Sequence, residues 1–230
     1  MDVVEVLPHL HMFRFAVGQA YLWRDGTSLT LIDTGLPGSG PEIAEAVRGL
    51  GHDTGDIARI VLTHFHQDHV GSAAEVRSWH GAPVLAHEAD APIIRGERPG
   101  PPPVLADWEK PLFESVASGL PEAPPTPVDR ELADSEVLDF GGGARVLLRP
   151  GHTDGSIAIH LPAHQVLFTG DTIANVQHLG VGVFNLDTAR TVESFRDLSE
   201  LDTEIACFGH GDPIIGGAGA ALRAAVAAMD

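Results

Sequence analysis

The sequence is organised around Thr63-His64-Phe65-His66-Gln67-Asp68-His69, a stretch with three imidazoles and one carboxylate that follows the apolar run Ile60-Val61-Leu62. The apolar run predicts a buried strand, so the polar cluster would lie at the end of that strand. In an extended segment alternate side chains share a face, and His64 and His66 can therefore approach one ion. Neutral imidazole and carboxylate are ligands that borderline divalent metals take in proteins. The cluster therefore predicts a metal site, and its density of ligands suggests two ions.

Three further candidate ligands follow apolar runs in the second half of the chain. Each run predicts a strand, and each candidate comes shortly after the strand ends. The runs and their candidates are Arg145–Arg149 with His152, Gln165–Thr169 with Asp171, and Ile205–Phe208 with His210. Gly170 and Gly209 directly precede two of these candidates, and glycine permits a close approach of the backbone. Ligands from several strand ends at one edge would complete a two-metal site.

With these residues the chain resembles the metallo-β-lactamase superfamily of binuclear metallohydrolases, whose His-x-His-x-Asp-His motif stands here at residues 64–69. The resemblance covers nearly the full length and implies a role for each candidate ligand. By similarity, the first metal is held by His64, His66 and His152, the second by Asp68, His69 and His210, and Asp171 bridges them. The family also uses an Asp, here Asp33, to brace the metal loop from behind, which agrees with the need to orient ligating imidazoles.

The order of predicted elements agrees with the fold that this resemblance implies. Asp25-Gly26 predicts a hairpin turn, and Ser39 with Pro41 predicts the start of a helix. Further helices are predicted near residues 71–80 and 188–201. Runs of strands with helices at their flanks indicate sheets that pack face to face under helices. The expected fold class is α+β, a four-layer αβ/βα sandwich of two packed mixed β-sheets flanked by helices.

Length and composition set the predicted domain layout. The 230 residues allow one domain or two, and 43% apolar residues are enough to bury a full core. We expect a single domain over residues 1–230. It would consist of two pseudo-symmetric halves, at about 1–90 and 131–230, joined by an insert at 91–130.

The insert at residues 91–130 differs in composition from the halves because proline-rich stretches bracket a short segment, Trp108–Leu120, that is predicted to be helical. Three roles are open to it. A long loop in a compact enzyme often forms a lid or substrate wall, the insert could form a contact in a homodimer, and proline-rich segments also serve as stiff linkers. As a lid it would present Trp108 and Phe113 to the substrate.

Charge and composition restrict the partners and the compartment. The formal net charge is −18, from 32 acidic and 14 basic residues, and no run of Lys or Arg occurs. Nucleic acid is therefore not an expected partner, since its binding depends on basic side chains. The start of the chain lacks the pattern of a secretory signal, and no apolar run approaches the roughly 18 residues of a membrane span. We expect a cytoplasmic enzyme with a small-molecule substrate and no membrane partner.

The predicted reaction follows from the ligand set. Two cations about 3.5–4 Å apart share a bridging water and lower its pKa toward neutrality, so that hydroxide attacks a carbonyl without a protein base. No Ser or Cys nucleophile is evident, and Asp68 is the candidate proton carrier. We therefore expect a hydrolase with two Zn²⁺ per chain that cleaves a thioester, a lactone or another ester of a small molecule.

Differences between this sequence and individual branches of the family restrict the range of expected substrates. True β-lactamases of the family use Cys or Ser, or lack a carboxylate, at the position of Asp171. Glyoxalase II enzymes share all the ligands but append a helical glutathione-binding domain, whereas only 20 residues follow His210 here (230 − 210). Acyl-homoserine lactonases place a Tyr beside the metals in the second half. The single Tyr of this chain is Tyr21, in the first half, so His178 is the candidate for that substrate contact.

Two alternatives to hydrolysis are also open. The persulfide dioxygenases of the family keep the same motif but load one Fe²⁺, through the equivalents of His64, His152 and Asp171. Two histidines and a carboxylate with open positions are typical of oxygen activation by non-haem iron. The second alternative is a non-catalytic metal-binding protein, which the intact ligand set disfavours.

Overall fold

The computed structural model describes residues 1–229 and divides into two compact units. The first unit combines Met1–Pro99 with Leu120–Leu132. The second combines Gly100–Gly119 with the chain from Ala133 onward. The predicted insert at residues 91–130 is thus divided between the units, because its ends belong to the first unit and its middle belongs to the second. The prediction of a single domain over the whole chain stays a prediction.

One mixed sheet of seven strands forms the centre of the first unit, in the order β1-β2-β3-β4-β5-β6-β7. Strands β1 to β4 pair antiparallel, and β4 to β7 pair parallel. Their bounds are β1 Asp2–Leu7, β2 Leu10–Arg14, β3 Gln19–Asp25, β4 Ser28–Ile32, β5 Ile57–Val61, β6 Val84–His87 and β7 Arg130–Leu132. Asp25 pairs with Ser28 across a two-residue loop whose Gly26 has φ +61°, which confirms the predicted hairpin turn.

Four α-helices of the first unit connect these strands: α1 Gly40–Gly49, α2 Gln67–Val70, α3 Ala73–His80 and α4 Ala91–Ile94. The predicted helix start at Ser39 and Pro41 is confirmed, since Ser39 directly precedes α1 and Pro41 lies in its first turn. Ile43 and Val47 of α1 join a core that includes Leu31 and Ile60 of the central strands. Burial of one apolar helix stripe against the sheet therefore stabilises this unit.

The second unit contains a six-stranded sheet in the order β15-β14-β11-β10-β9-β8 and a separate hairpin, β12-β13. The sheet strands are β8 Val137–Leu138, β9 Ala144–Leu148, β10 Ile157–Leu161, β11 Val166–Phe168, β14 Ile205–Cys207 and β15 Ile214–Ile215. The hairpin strands are β12 Ile173–Asn175 and β13 Leu179–Val181. The hairpin was not predicted, because residues 173–181 show no alternation of apolar and polar side chains.

Three α-helices belong to the second unit: α5 Glu109–Val116, α6 Thr188–Ser199 and α7 Ala218–Ala227. The predicted helix at 188–201 is confirmed, and it starts where the carboxylate of Asp187 accepts the N–H of Arg190. Phe195 of α6 and Leu222 of α7 pack in one core with Phe208. No α-helix within residues 1–229 is long and apolar enough to cross a membrane.

Cys207 lies in β14, next to the edge strand of the six-stranded sheet, and is fully buried. Burial raises the pKa of its thiol, because the thiolate would be desolvated. The side chain therefore serves as a small apolar group of the core.

Candidate metal centre

The histidine-rich loop of the first unit leaves the sheet at the end of β5, a central strand between β4 and β6. Because β4, β5 and β6 run parallel, the residues after each strand lie at one edge of the sheet. Asp33 follows β4 directly, and the 64–69 loop follows β5. This topology brings together two segments that are 30 residues apart in sequence, as the bond between Asp33 and Thr63 shows.

Asp33 is a buried carboxylate that organises this loop. Its Oδ1 accepts the backbone N–H of Thr63 at 2.8 Å, and its Oδ2 accepts the Thr63 hydroxyl at 2.8 Å. The same Oδ2 lies 2.9 Å from Nδ1 of His69. The backbone of Asp33 has φ +59°, a left-handed conformation that Asp tolerates better than most side chains. The contacts of Asp33 are thus those of a residue that orients the loop.

The hydrogen bonds around Asp33 indicate which ring nitrogen of His69 and of His64 carries the hydrogen. His69 donates from Nδ1 to Asp33, so Nε2 is the nitrogen directed toward the Asp68 carboxylate. The Thr63 hydroxyl already donates its hydrogen to Asp33, so at 3.0 Å it must accept from Nδ1 of His64. His64 therefore also presents Nε2. Asp33 thus orients His69 directly and His64 through the hydroxyl of Thr63.

The other polar side chains of the loop lie close to these two imidazoles. The ring centroids of His64 and His66 are 4.8 Å apart, as expected for alternate residues of an extended segment. Oδ2 of Asp68, in α2, lies 3.7 Å from Nε2 of His69. Gly18 packs against this carboxylate residue, because a Cβ at Gly18 would lie 2.9 Å from the backbone oxygen of Asp68.

Sequence reasoning missed one buried acid that supports the same loop. Asp90, which follows β6, is 1% exposed, and its Oδ2 accepts the backbone N–H of Phe65 at 3.1 Å. Asp33, the 64–69 loop and Asp90 thus follow the parallel strands β4, β5 and β6 and lie at the same edge of the sheet. No local pattern marks Asp90, since a single Asp before a short helix resembles any helix start.

The second unit presents its own group of candidate ligands at strand ends. Strands β9 and β11 both pair antiparallel with β10, and β11 pairs parallel with β14, so β9, β11 and β14 run in one direction. Their carboxyl ends consequently share one edge, and His152, Asp171 and His210 follow them. Oδ2 of Asp171 lies 3.6 Å from Nε2 of His152 and 3.2 Å from Nε2 of His210. The three strands predicted before these ligands are confirmed.

The imidazole of His152 is oriented by Asn185, a second residue that the sequence did not reveal. Nδ2 of Asn185 donates to the Gly182 carbonyl at 2.6 Å, so Oδ1 is the atom that faces His152. Nδ1 of His152 lies 3.2 Å from this oxygen and donates to it. His152 therefore presents Nε2 toward Asp171. The loop beside His210 is held by Gly211 at φ +94°, where a Cβ would overlap the backbone of Asn175.

The donor chemistry of both units fits metal ions. In the first unit Nε2 of His69 faces the Asp68 carboxylate, and in the second Nε2 of His152 faces that of Asp171. Both histidines donate from Nδ1, so in the neutral imidazole Nε2 carries the lone pair, and a cation between this nitrogen and the carboxylate would suit both groups. Buried imidazole nitrogen and carboxylate oxygen are the ligands that zinc and related metals take. Both units thus present donor atoms of the kinds that a metal site uses.

The predicted substrate contacts occupy different settings. His178 is exposed in the turn between β12 and β13. Trp108 is 65% exposed just before α5, and Phe113 of α5 packs edge to face against Phe184, with ring centroids 5.1 Å apart. The assignment of these three residues to substrate binding stays a prediction.

Comparison with known proteins gives consistent matches. The model of the metallo-beta-lactamase superfamily matches residues 14–210. The chain is similar to the probable metallo-hydrolase YflN of Bacillus subtilis, with 28% identity over 208 residues, which cover 82% of this chain and 77% of that protein. It is also 32% identical over 173 residues to a hydroxyacylglutathione hydrolase of Cereibacter sphaeroides. That match covers 74% of this chain and 54% of the relative, so the chain spans about half of its length.

Solved structures agree in fold. A metallo-beta-lactamase family protein of Thermus thermophilus matches with a TM-score of 0.70 and 25% identity, over 97% of this chain and 79% of that one. The predicted α+β fold class is thereby confirmed.

Proposed function

The chain belongs to the metallo-β-lactamase superfamily and is a metal-dependent hydrolase of it, and from this premise we propose that it is a binuclear zinc enzyme that cleaves a thioester, a lactone or another ester of a small molecule. The observation that carries the proposal is the orientation of the imidazoles. His64, His69 and His152 each have Nδ1 engaged by a buried partner, so each presents Nε2 as a ligand atom.

The complete ligand set that we propose combines the candidate ligands of both units as the family resemblance implies. In this set His64, His66 and His152 would hold the first zinc, Asp68, His69 and His210 would hold the second, and Asp171 would contribute to both. Two bound zinc ions would supply hydroxide near neutral pH and polarise the carbonyl under attack. The residues of the chain would position these ions. Asp68, whose Oδ2 lies 3.7 Å from Nε2 of His69, is the candidate proton carrier.

A thioester is the first substrate class to test. Its support comes from a group of relatives named hydroxyacylglutathione hydrolases, one of which is 32% identical to the chain over 173 residues. Lactones and oxygen esters remain within the proposal, because the same hydroxide would attack their carbonyls. We further propose that the enzyme acts in the cytoplasm on a small molecule. The charge of −18 disfavours nucleic acid as a partner, and a homodimer contact stays one of the roles proposed for residues 91–130.

Metal analysis and activity together test the proposed function. Protein purified without added metal is expected to contain two zinc ions per chain and to hydrolyse at least one member of a panel of thioesters, lactones and aryl esters. A strong chelator should remove both the zinc and the activity, and added zinc should restore them, because the ions supply the nucleophile.

Two other results would contradict this proposal. One iron per chain with oxygen uptake that depends on a persulfide would indicate a dioxygenase instead. Zinc-replete protein that turns over no member of the panel would indicate a non-catalytic metal-binding protein.

Replacement of His178 by alanine is expected to leave the zinc content unchanged, because this side chain is exposed in the β12–β13 turn and is absent from the proposed ligand set. If His178 contacts the substrate, KM should rise while zinc content and thermal stability stay at wild-type values. Zinc content and steady-state kinetics measure the two effects separately. His164→Ala, at a second histidine outside the ligand set, is the control. Loss of zinc in His178→Ala would contradict the proposed ligand set.

A further inference from the structure

Glu109 is a buried carboxylate that lies outside the proposed ligand set. It is 2% exposed although it begins α5 in a segment whose neighbours Trp108 and Lys110 are exposed. Its Oε2 accepts the backbone N–H of Ala106 at 2.8 Å, and its Oε1 accepts that of Phe184 at 3.0 Å. Burial of a carboxylate is costly unless its oxygens are hydrogen-bonded. Both oxygens are bonded here, one within the helix start and one to a loop 75 residues away in sequence.

Phe184 directly precedes the residue that orients a proposed ligand. Its backbone has φ +62°, a left-handed conformation that is unfavourable for a bulky side chain and therefore has to be held by its surroundings. The Glu109 carboxylate holds its N–H, and the ring of Phe113 packs against its ring. The next residue, Asn185, is fixed as well, because its carbonyl accepts the N–H of Val104 at 2.9 Å. Residues 104–113 thus hold both ends of the two-residue segment Phe184–Asn185.

The backbone conformation of this two-residue segment decides where the Asn185 side chain points. Asn185 is 1% exposed, and its amide is held between the Gly182 carbonyl and Nδ1 of His152. A rotation at Phe184 would swing Oδ1 away from the imidazole, since the side chain follows its own backbone. His152 would then lose the acceptor that fixes its tautomer.

We propose that Glu109 is a positioning residue for His152 and acts through Phe184 and Asn185. This inference rests on the proposed function, in which His152 is a zinc ligand. It gives the middle of the insert, residues 100–119, a defined role: the segment holds the loop that orients a ligand.

Zinc affinity is the first test. The metal-free protein is titrated with zinc against a chromophoric chelator, for the wild type and for Glu109→Ala, Glu109→Gln and the control Glu114→Ala, which removes an exposed carboxylate from the same helix. Glu109→Ala is expected to weaken zinc binding about 10- to 100-fold, as loss of an outer partner of a ligand does. Glu109→Gln keeps one acceptor oxygen and should fall between Glu109→Ala and wild type, while Glu114→Ala should match wild type.

A double-mutant cycle separates this role from mere support of the helix. If Glu109 acts through Asn185, the variant that combines Glu109→Ala with Asn185→Ala should bind zinc no more weakly than Asn185→Ala alone. Additive losses would overturn the proposal, as would Glu109 variants that bind zinc with wild-type affinity. If Glu109→Ala does not fold, Glu109→Gln is used in the same cycle.

The tautomer of His152 provides a readout that needs no metal. In metal-free wild type, ¹⁵N NMR of the imidazole should show Nδ1 protonated, and Glu109→Ala should shift the ring toward a mixture of tautomers. An unchanged His152 signal in the variant would overturn the role of Glu109 whatever the enzyme hydrolyses. Wild-type protein that binds no zinc would instead overturn the proposed function, so the two failures are distinguishable.

Discussion

Replacement of Asp171 by alanine is expected to remove the hydrolytic activity and at least one zinc ion per chain. Oδ2 of Asp171 lies 3.6 Å from Nε2 of His152 and 3.2 Å from Nε2 of His210, and in the proposed set this carboxylate would help to hold both metals. Without it, two imidazoles of the second unit lose the negative charge beside them. We expect kcat/KM to fall by more than about 100-fold, the upper end of what loss of an outer partner of a ligand costs, because Asp171 is a proposed ligand itself.

Zinc per chain after dialysis and kcat/KM on the best substrate measure this prediction. The matched control is Asp197→Ala, which removes an exposed carboxylate from α6 and should keep both zinc and activity. Retention of two tightly bound zinc ions by Asp171→Ala would show that Asp171 does not bridge the metals. Asp171→Asn, which retains one oxygen, should lie between wild type and the alanine variant.

The replacement Asp33→Asn is expected to lower both stability and zinc affinity. Asparagine tolerates the left-handed backbone at this position, φ +59°, so the change tests the carboxylate and adds little strain. The carboxylate accepts three hydrogen bonds, two from Thr63 and one from His69. An amide has one acceptor oxygen, and its NH₂ group would face a donor in either orientation.

The unmatched donors in Asp33→Asn should lower both the free energy of unfolding and the zinc affinity. A buried donor left without an acceptor costs about 1–3 kcal/mol, so we expect the free energy of unfolding of the metal-free protein to fall by that amount. Zinc affinity should fall about 10- to 100-fold, because His64 and His69 lose the group that orients them. Chemical denaturation and chelator competition measure the two effects. Asp2→Asn, at an exposed position of β1, is the control. Wild-type zinc affinity in Asp33→Asn would contradict the proposed role of Asp33.

The sequence was sufficient to predict the candidate ligands and the strands that carry them. His64 and His66 alternate after an apolar run, and Asp171 and His210 follow glycines that end such runs. Such patterns are local: a strand buries its apolar residues, and the polar residue after it lies at the edge of the sheet. The family resemblance then supplied a role for each ligand, and the match of the superfamily model to residues 14–210 supports the family assignment.

The residues that orient the ligands came only from the tertiary structure. Asp90 supports a loop 25 residues before it, Asn185 orients a histidine 33 residues before it, and Glu109 bonds to a loop 75 residues after it. A hydrogen bond acts over about 3 Å and requires one donor and one acceptor. Any buried Asp, Asn or Glu meets that requirement, so nothing in the neighbouring sequence distinguishes these three from other polar residues. Local sequence pattern thus indicates which residues can bind metal, whereas packing of distant segments determines which nitrogen His64, His69 and His152 each present.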